Sequence, residues 1–345
     1  MKTLQKSGNI HTLLPKVAFE KSKLITPIEY NELVASRDLN EFVLKLRRSE
    51  YEIELRGQIS LNYIEFELIE VLFAAFDKMI KHAPKKFQSF FRAYLIKYEM
   101  QNIKTLIRAF YKGVKKTELQ YHYTVENILG RKDVITESLN ASDLNTLIIG
   151  LQKLPYGDVI GEIFEIIERE KYSFFYLDLF LDLKYLEELW LAHNELGRRN
   201  REIVKKFIGL EIDSYNLETV LRAKNLGLEE HLVYRMISQH YYLLNEHFLE
   251  ELIKNKLDIA MLLKYYKFKE KITRNLEDPE TIRHLFKKEL IKLIHSFYIK
   301  SGFNIGKPFA FLLNKELEIE NLRSISIGIY YKRKPEEISG SLYIM

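Results

Sequence analysis

The residues with most scope for chemistry in this chain are a glycine-flanked loop with a lysine, nine histidines and 48 acidic side chains. The loop, Gly302-Phe303-Asn304-Ile305-Gly306-Lys307-Pro308, has the composition of a phosphate cradle. In such a loop backbone N–H groups hold phosphates, the lysine reaches the terminal phosphate and a hydroxyl binds magnesium. Here one residue is missing between the glycines and Pro308 stands where the hydroxyl belongs. A break before the final helix accounts for it better. His240 and His247 can share a helix face, with Glu250 and Glu251 following. Their spacing covers about two turns, too far to close on one metal, and no H-E-x-x-H arrangement occurs. No G-x-S-x-G elbow or G-x-G-x-x-G fingerprint is found. Cysteine is absent, which excludes disulfides and thiolate zinc sites. The expectation is a chain without a catalytic centre, a metal or a cofactor.

The charge pattern narrows the partners. The formal net charge is +5, but Lys and Arg alternate with Asp and Glu almost everywhere, as on a solvated surface. Basic clusters occur at Lys85-Lys86, Lys115-Lys116, Arg198-Arg199 with Arg201, and Lys332-Arg333-Lys334. The aromatic residues sit at helical core spacing instead of alternating with these clusters, so no nucleic-acid module is expected. Lys2 and Lys6 are not followed by an apolar run, so no signal peptide is read. The most apolar stretch, Tyr172 to Ala192, carries Asp178, Asp182, Lys184, Glu187 and Glu188. A membrane span needs about 20 predominantly apolar residues, so any membrane role is peripheral.

The elements that must position these residues are helices. Hydrophobic residues make up 47% of 345, enough for two or three globular domains. Gly (14) and Pro (7) are scarce, and no proline falls between Pro155 and Pro279, which leaves helices free to run on. Phe87, Phe90, Phe91, Tyr94, Leu95 and Tyr98 fall on one face of a 3.6-residue period. Ile103, Leu106, Ile107 and Phe110 continue that face to Gly113, a fitting C-terminal glycine. Ile59 to His82 reads as another helix, ended by Pro84. Period-two alternation is weak throughout, so the fold class is all-α.

Internal repetition says more. Glu99, Asn102, Thr105 and Arg108 recur, at a single offset, as Asp213, Asn216, Thr219 and Arg222. A third copy keeps Glu318 and Asn321 but has Ile327 in place of the arginine. Upstream, Asp38-Leu39-Asn40 is echoed by Asp143-Leu144-Asn145, and Tyr51 by Tyr156 at the same offset; Leu257-Asp258-Ile259 is a weaker third echo. The spacing of about 105–114 residues exceeds the 20–50 of a solenoid repeat. It divides the chain into three helical domains, 1–130, 131–245 and 246–345. Each opens with a short amphipathic helix and closes with the acid-x-x-Asn helix. The acid and the Asn share a helix face, and Arg108 lies half a turn round from Glu99. A polar contact that fixes how helices dock is therefore a better reading than ligand binding.

Tyr98-Glu99-Met100-Gln101-Asn102-Ile103-Lys104-Thr105-Leu106-Ile107-Arg108 resembles the D-x-x-N-I-K-T-L-x-R segment found in the C subunits of A/V-type ATP synthases, the counterparts of the d subunits of vacuolar ATPases. Leu154-Pro155-Tyr156-Gly157, Leu181-Asp182-Leu183-Lys184-Tyr185, and Glu211-Ile212-Asp213-Ser214-Tyr215-Asn216-Leu217 with Arg222 resemble further family segments in order. So do Glu320-Asn321-Leu322-Arg323-Ser324-Ile325 with Gly328, and Pro335-Glu336-Glu337-Ile338. Lys16-Val17-Ala18-Phe19-Glu20 only loosely echoes the family's N-terminal segment, and Glu99 replaces its aspartate. The resemblance implies three helical domains in a funnel with pseudo-threefold symmetry. It implies a non-catalytic rotor component, a monomer within a hetero-oligomeric complex. Its partners would be the central-stalk subunits of D and F type and the proteolipid of the membrane rotor ring, at the cytoplasmic face. Arg108 and Arg222 are then expected at a partner-binding lining. The alternative is a generic helical scaffold for another protein.

Overall fold

The computed structural model describes residues 8–54, 59–114, 123–169, 173–254, 259–261, 276–300 and 302–343. The readings on Lys2, Lys6, Lys115, Lys116, Tyr172, Leu257 and Asp258 fall outside these residues. Among the described residues there are sixteen α-helices and no strand, so the fold is all-α.

The helices follow from local signals. Asn9 caps α1 (Ile10–Lys21) by accepting from the His11 N–H. Thr26 and Glu29 form a reciprocal capping box on α2 (Pro27–Val34), with Pro27 at its first position, where no N–H is missed. Asp38 caps α3 (Leu39–Leu46), and Ser60 caps α4 (Leu61–His82). On α4, Ile64, Leu68, Leu72, Phe76 and Met79 make one buried stripe. Beyond Pro84, α5 (Lys85–Tyr111) runs until Gly113 takes a left-handed φ of 66°, as the glycine reading expects. Then come α6 (Tyr123–Leu129), α7 (Lys132–Ser138), α8 (Leu144–Leu151), α9 (Gly157–Arg169) and α10 (Ser173–Asn194). The longest helix, α11 (Arg198–Leu226), stops at left-handed Gly227. α12 (Glu230–Met236) and α13 (Glu246–Ile253) precede α14 (Pro279–Lys300), α15 (Gly306–Tyr330) and α16 (Pro335–Gly340). The break at Gly302–Ile305 thus precedes the last long helix, with one short helix still to come.

The same order of lengths occurs three times. An 8-residue helix capped by Asp38, Asp143 or Asn245 comes first: α3, α8 and α13. A 22-residue helix follows, α4, α10 or α14, and then a helix of 27, 29 or 25 residues, α5, α11 or α15. The third short helix thus opens at Asn245, ahead of the echo read at Leu257.

The chain packs into two compact units. One comprises Met1–Phe91, Gln120–Ile128 and Ile294–Met345; the other comprises Arg92–Leu119 and Leu129–Leu293. In the first, α15 is buried on nearly every side and packs against α1, α2, α3, α4 and α16. Phe309 on α15 meets Phe90 edge-on, with ring centroids 5.1 Å apart. In the second, α10 packs on α9, α11 and α12, and α11 also carries α13.

Candidate functional site

The repeated acids are among the most deeply buried charges of the described residues. Glu99 and Asp213 are wholly buried, and Glu318 is 3% exposed. Each is held differently. Glu318, on α15, accepts from the Tyr51 hydroxyl (2.5 Å), from Lys315 Nζ (2.6 Å) and from the Ile25 N–H (2.6 Å). Lys315 is itself buried and also donates to Glu50 (2.5 Å) and the Tyr51 hydroxyl (2.7 Å). Asp213, on α11, accepts three backbone N–H groups, from Tyr242 (3.2 Å), Leu243 (2.8 Å) and Leu244 (3.2 Å). Glu99, on α5, is paired with Arg131, whose guanidinium lies over the Tyr156 ring. Burial and the adjoining carboxylates push the Tyr51 and Tyr156 hydroxyls well above the usual phenol range. The two tyrosines matched in the sequence thus sit at matching nodes, one against Glu318 and one beside Glu99.

Each acid therefore ties its long helix to a segment elsewhere in the chain: Glu318 to Ile25 and Tyr51, Asp213 to residues 242–244, and Glu99 to Arg131. The asparagines add a second fixing point. Asn216 donates to the Ser238 carbonyl (3.1 Å) and accepts the Ser238 N–H (2.7 Å), 22 residues ahead. Asn321 does the same with Tyr343, also 22 residues ahead (2.9 and 2.8 Å). An amide side chain copies the donor and acceptor of a peptide group, so one Asn satisfies a whole backbone unit. Asn102 is half-buried.

About one and a half turns beyond each acid stand Lys104, Glu218 and Arg323. Each pairs with a 22-residue helix: Lys104 with Asp182 (2.5 Å), Glu218 with Arg283 (2.6 Å) and Arg323 with Glu65 (3.2 Å). The sign is inverted at Glu218. Burial raises the Glu218 carboxyl above the ordinary range, and Arg283 and Arg222 draw it part of the way back. Arg108 pairs with Asp178 and lies against the Phe174 ring. Arg222 reaches Glu218 (3.5 Å) and Glu280 (4.0 Å). Their side chains are 35% and 31% exposed, so both arginines brace the long helix and still present surface.

The other candidates resolve into structural roles. Asn304 Oδ1 accepts the Gly306 N–H (2.9 Å), so the start of α15 is already capped by the chain itself. His240 stacks on Trp190 with centroids 4.5 Å apart, and His247 is exposed. Among the described residues no three His, Asp or Glu are placed to hold a metal ion. The sequence reading passes over Lys315 and Arg131, the counter-charges of the buried acids. Lys315 is detectable as a cation three residues before Glu318, on the same helix face. Arg131 carries no such signal.

The Glu99–Arg131 pair makes a pH test. Burial raises the folded carboxyl above its ordinary value, while Arg131 and the Tyr156 hydroxyl lower it again. A raised carboxyl favours folding at low pH and loses that advantage as pH climbs through the unfolded value towards the folded one. Arg131→Met removes the largest opposing influence, so its folded carboxyl rises further. The substitution is expected to cost about 3 kcal/mol near neutrality and clearly less at pH 5, where Glu99 can take up a proton. Urea unfolding of both proteins at the two pH values measures this; an equal cost at both would show that the charge of Glu99 does not matter.

Comparison with known proteins adds the family. The family model described as ATP synthase (C/AC39) subunit matches residues 14–340. The C subunit of the A-type ATP synthase of Thermococcus kodakarensis is 27% identical over 335 residues, covering 94% of this chain and 87% of its own length. That of Methanocaldococcus jannaschii is 24% identical, covering 95% and 84%, and that of Haloferax volcanii is 23% identical, covering 98% of each. The match takes in α2 to α16 whole, with all three buried acids, and the chain belongs to the ATP synthase (C/AC39) subunit family.

Proposed function

We propose that this chain is a non-catalytic central-rotor component of an A/V-type ATP synthase. It joins the central stalk, through subunits of D and F type, to the proteolipid ring at the cytoplasmic face of the membrane, and passes torque between ATP turnover and ion transport. The observation that carries this reading is the family match across residues 14–340. The helical nodes support it. A torque adaptor must not shear, and each long helix is keyed to a segment elsewhere in the chain by a buried charge and, for two of them, by an asparagine clamp. Three long helices anchored in this way suit a funnel of three domains, 1–130, 131–245 and 246–345, with pseudo-threefold symmetry. Among the described residues no helix is long and apolar enough to cross a membrane, which suits a peripheral seat.

Affinity purification of the tagged full chain from native membranes tests the role. Stalk and ring subunits are the expected companions, and their absence sinks the proposal. Arg108 and Arg222 are proposed to line the partner-binding surface. Arg222→Ala removes a half-exposed cation with only long ion pairs, so thermal stability should change by less than about 1 kcal/mol. Stalk recovery should fall several-fold; unchanged recovery would remove Arg222 from the interface.

A further inference from the structure

The junction of α15 and α16 carries a surface that the packing does not use. Tyr330 and Tyr331 are 55% and 66% exposed. Their rings meet edge-on, with centroids 5.1 Å apart and planes at 90°. Lys332, Arg333 and Lys334 follow, all exposed, and none makes an ion pair or side-chain hydrogen bond with a described residue. Lys332 has a φ of 55°, a left-handed conformation that favours glycine.

None of these five side chains is needed to make the turn. The Lys332 N–H donates to the Ile329 carbonyl (3.0 Å) and the Arg333 N–H to the Gly328 carbonyl (2.9 Å). α16 docks through buried Ile338, which sits over Gly328 so closely that a Cβ there would lie 2.6 Å from Ile338 Cγ1. The backbone is thus fixed from both sides while five large side chains point outward. Three adjacent like charges and a lysine in a glycine position oppose stability. The acidic groups nearby in the chain are Glu336 and Glu337, also exposed, in the first turn of α16, where a helix N-terminus favours negative charge.

We propose that the Tyr330–Lys334 turn is a contact for anionic lipid headgroups; this rests on the peripheral membrane position proposed above. The three cations meet headgroup phosphates, each adding an attraction that falls away within a Debye length. The two phenol rings, apolar in body and polar at the tip, suit the depth of the headgroups. Single-stranded nucleic acid offers the same phosphodiester. Rings at 90° to each other, however, provide no common platform on which successive bases stack.

The test is sedimentation of the purified full chain with vesicles of phosphatidylcholine alone or mixed with phosphatidylglycerol. Partitioning should be at least tenfold stronger onto the anionic vesicles and should weaken with salt. The triple variant Lys332→Gln, Arg333→Gln, Lys334→Gln should lose about 100-fold and melt no lower than the parent. Lys332→Gly should melt higher than the parent and bind about fivefold more weakly. Equal binding to neutral vesicles, or wild-type binding by the triple variant, overturns the proposal. So does a short single-stranded RNA that displaces the chain from vesicles at stoichiometric amounts. Detergent co-purification keeps the two ideas apart. A chain that recovers the rotor ring but ignores anionic vesicles overturns the lipid contact alone, whereas failure to recover the ring overturns the rotor role.

Discussion

Replacing Lys315 with methionine lowers the unfolding free energy by about 5 kcal/mol, the largest single effect expected in this molecule. Lys315 is 1% exposed on α15 and donates to Glu318, Glu50 and the Tyr51 hydroxyl. Methionine fills the same volume without the charge. Glu318, 3% exposed, is then left as a buried carboxylate facing a second carboxylate with no cation between them. Breaking a buried pair from one side costs far more than replacing both partners, because the survivor keeps its desolvation penalty. The double variant Lys315→Met/Glu318→Leu should therefore recover more than half of the loss, although the Ile25 N–H and the Tyr51 hydroxyl lose their acceptor. Urea unfolding of the wild type, both single variants and the double variant closes the cycle. Additive losses would mean that the two residues are not coupled and that Lys315 acts through packing alone.

Asp213→Ala should cost about 4 kcal/mol and do so in a different part of the chain. The wholly buried carboxylate accepts the N–H groups of Tyr242, Leu243 and Leu244, which pins the segment leading into α13 across α11. Alanine leaves those donors without an acceptor, and a hydrogen bond to a charged group contributes about 1.5–3 kcal/mol. Asp213→Asn keeps one carbonyl oxygen but turns an NH2 group towards the remaining donors, so about half of the loss remains. Amide hydrogen exchange at residues 242–244 gives the local readout, with protection falling sharply in Asp213→Ala. Gly209, one turn earlier, provides an independent check. A Cβ at that position would lie 2.2 Å from Tyr242 Cγ, so Gly209→Ala should free the same amides without touching the carboxylate. Protection unchanged in both variants would place the anchor elsewhere.

The two losses bear on the proposed rotor role through stiffness. Each node pins a long helix to a segment elsewhere in the chain, so a weakened node lets the two shift against each other without unfolding either. A coupler with such slack would pass less torque per step. The copies do not use one chemistry for the joint: a lysine–tyrosine cage, a backbone triad and an arginine pair serve the three acids in turn. The three helices thus share a buried carboxylate but differ in what neutralises it.

Much of the architecture is legible in the residues alone. A 3.6-residue period, scarce glycine and proline, and weak alternation establish an all-α chain, because amphipathic periodicity and breakers are local properties. The recurrence of acid, Asn and Arg at one offset marks the repeated helices, and the family segments follow in order along the chain. The third short helix escapes the echo at Leu257 for a physical reason. Asn245 caps as well as an aspartate does, so the cap persists while the letters around it change.

What the sequence determined by itself was the class of the fold, the family resemblance and which acids recur at one offset. What only the tertiary structure decided was the partner of each acid. Glu318 is neutralised beside Tyr51, Glu99 by Arg131, and Asp213 by bare backbone. Burying a charge demands compensation but does not say from where. Any cation, hydroxyl or N–H that packing brings within about 3 Å will serve, and that distance is set by how helices far apart in the chain lie against one another.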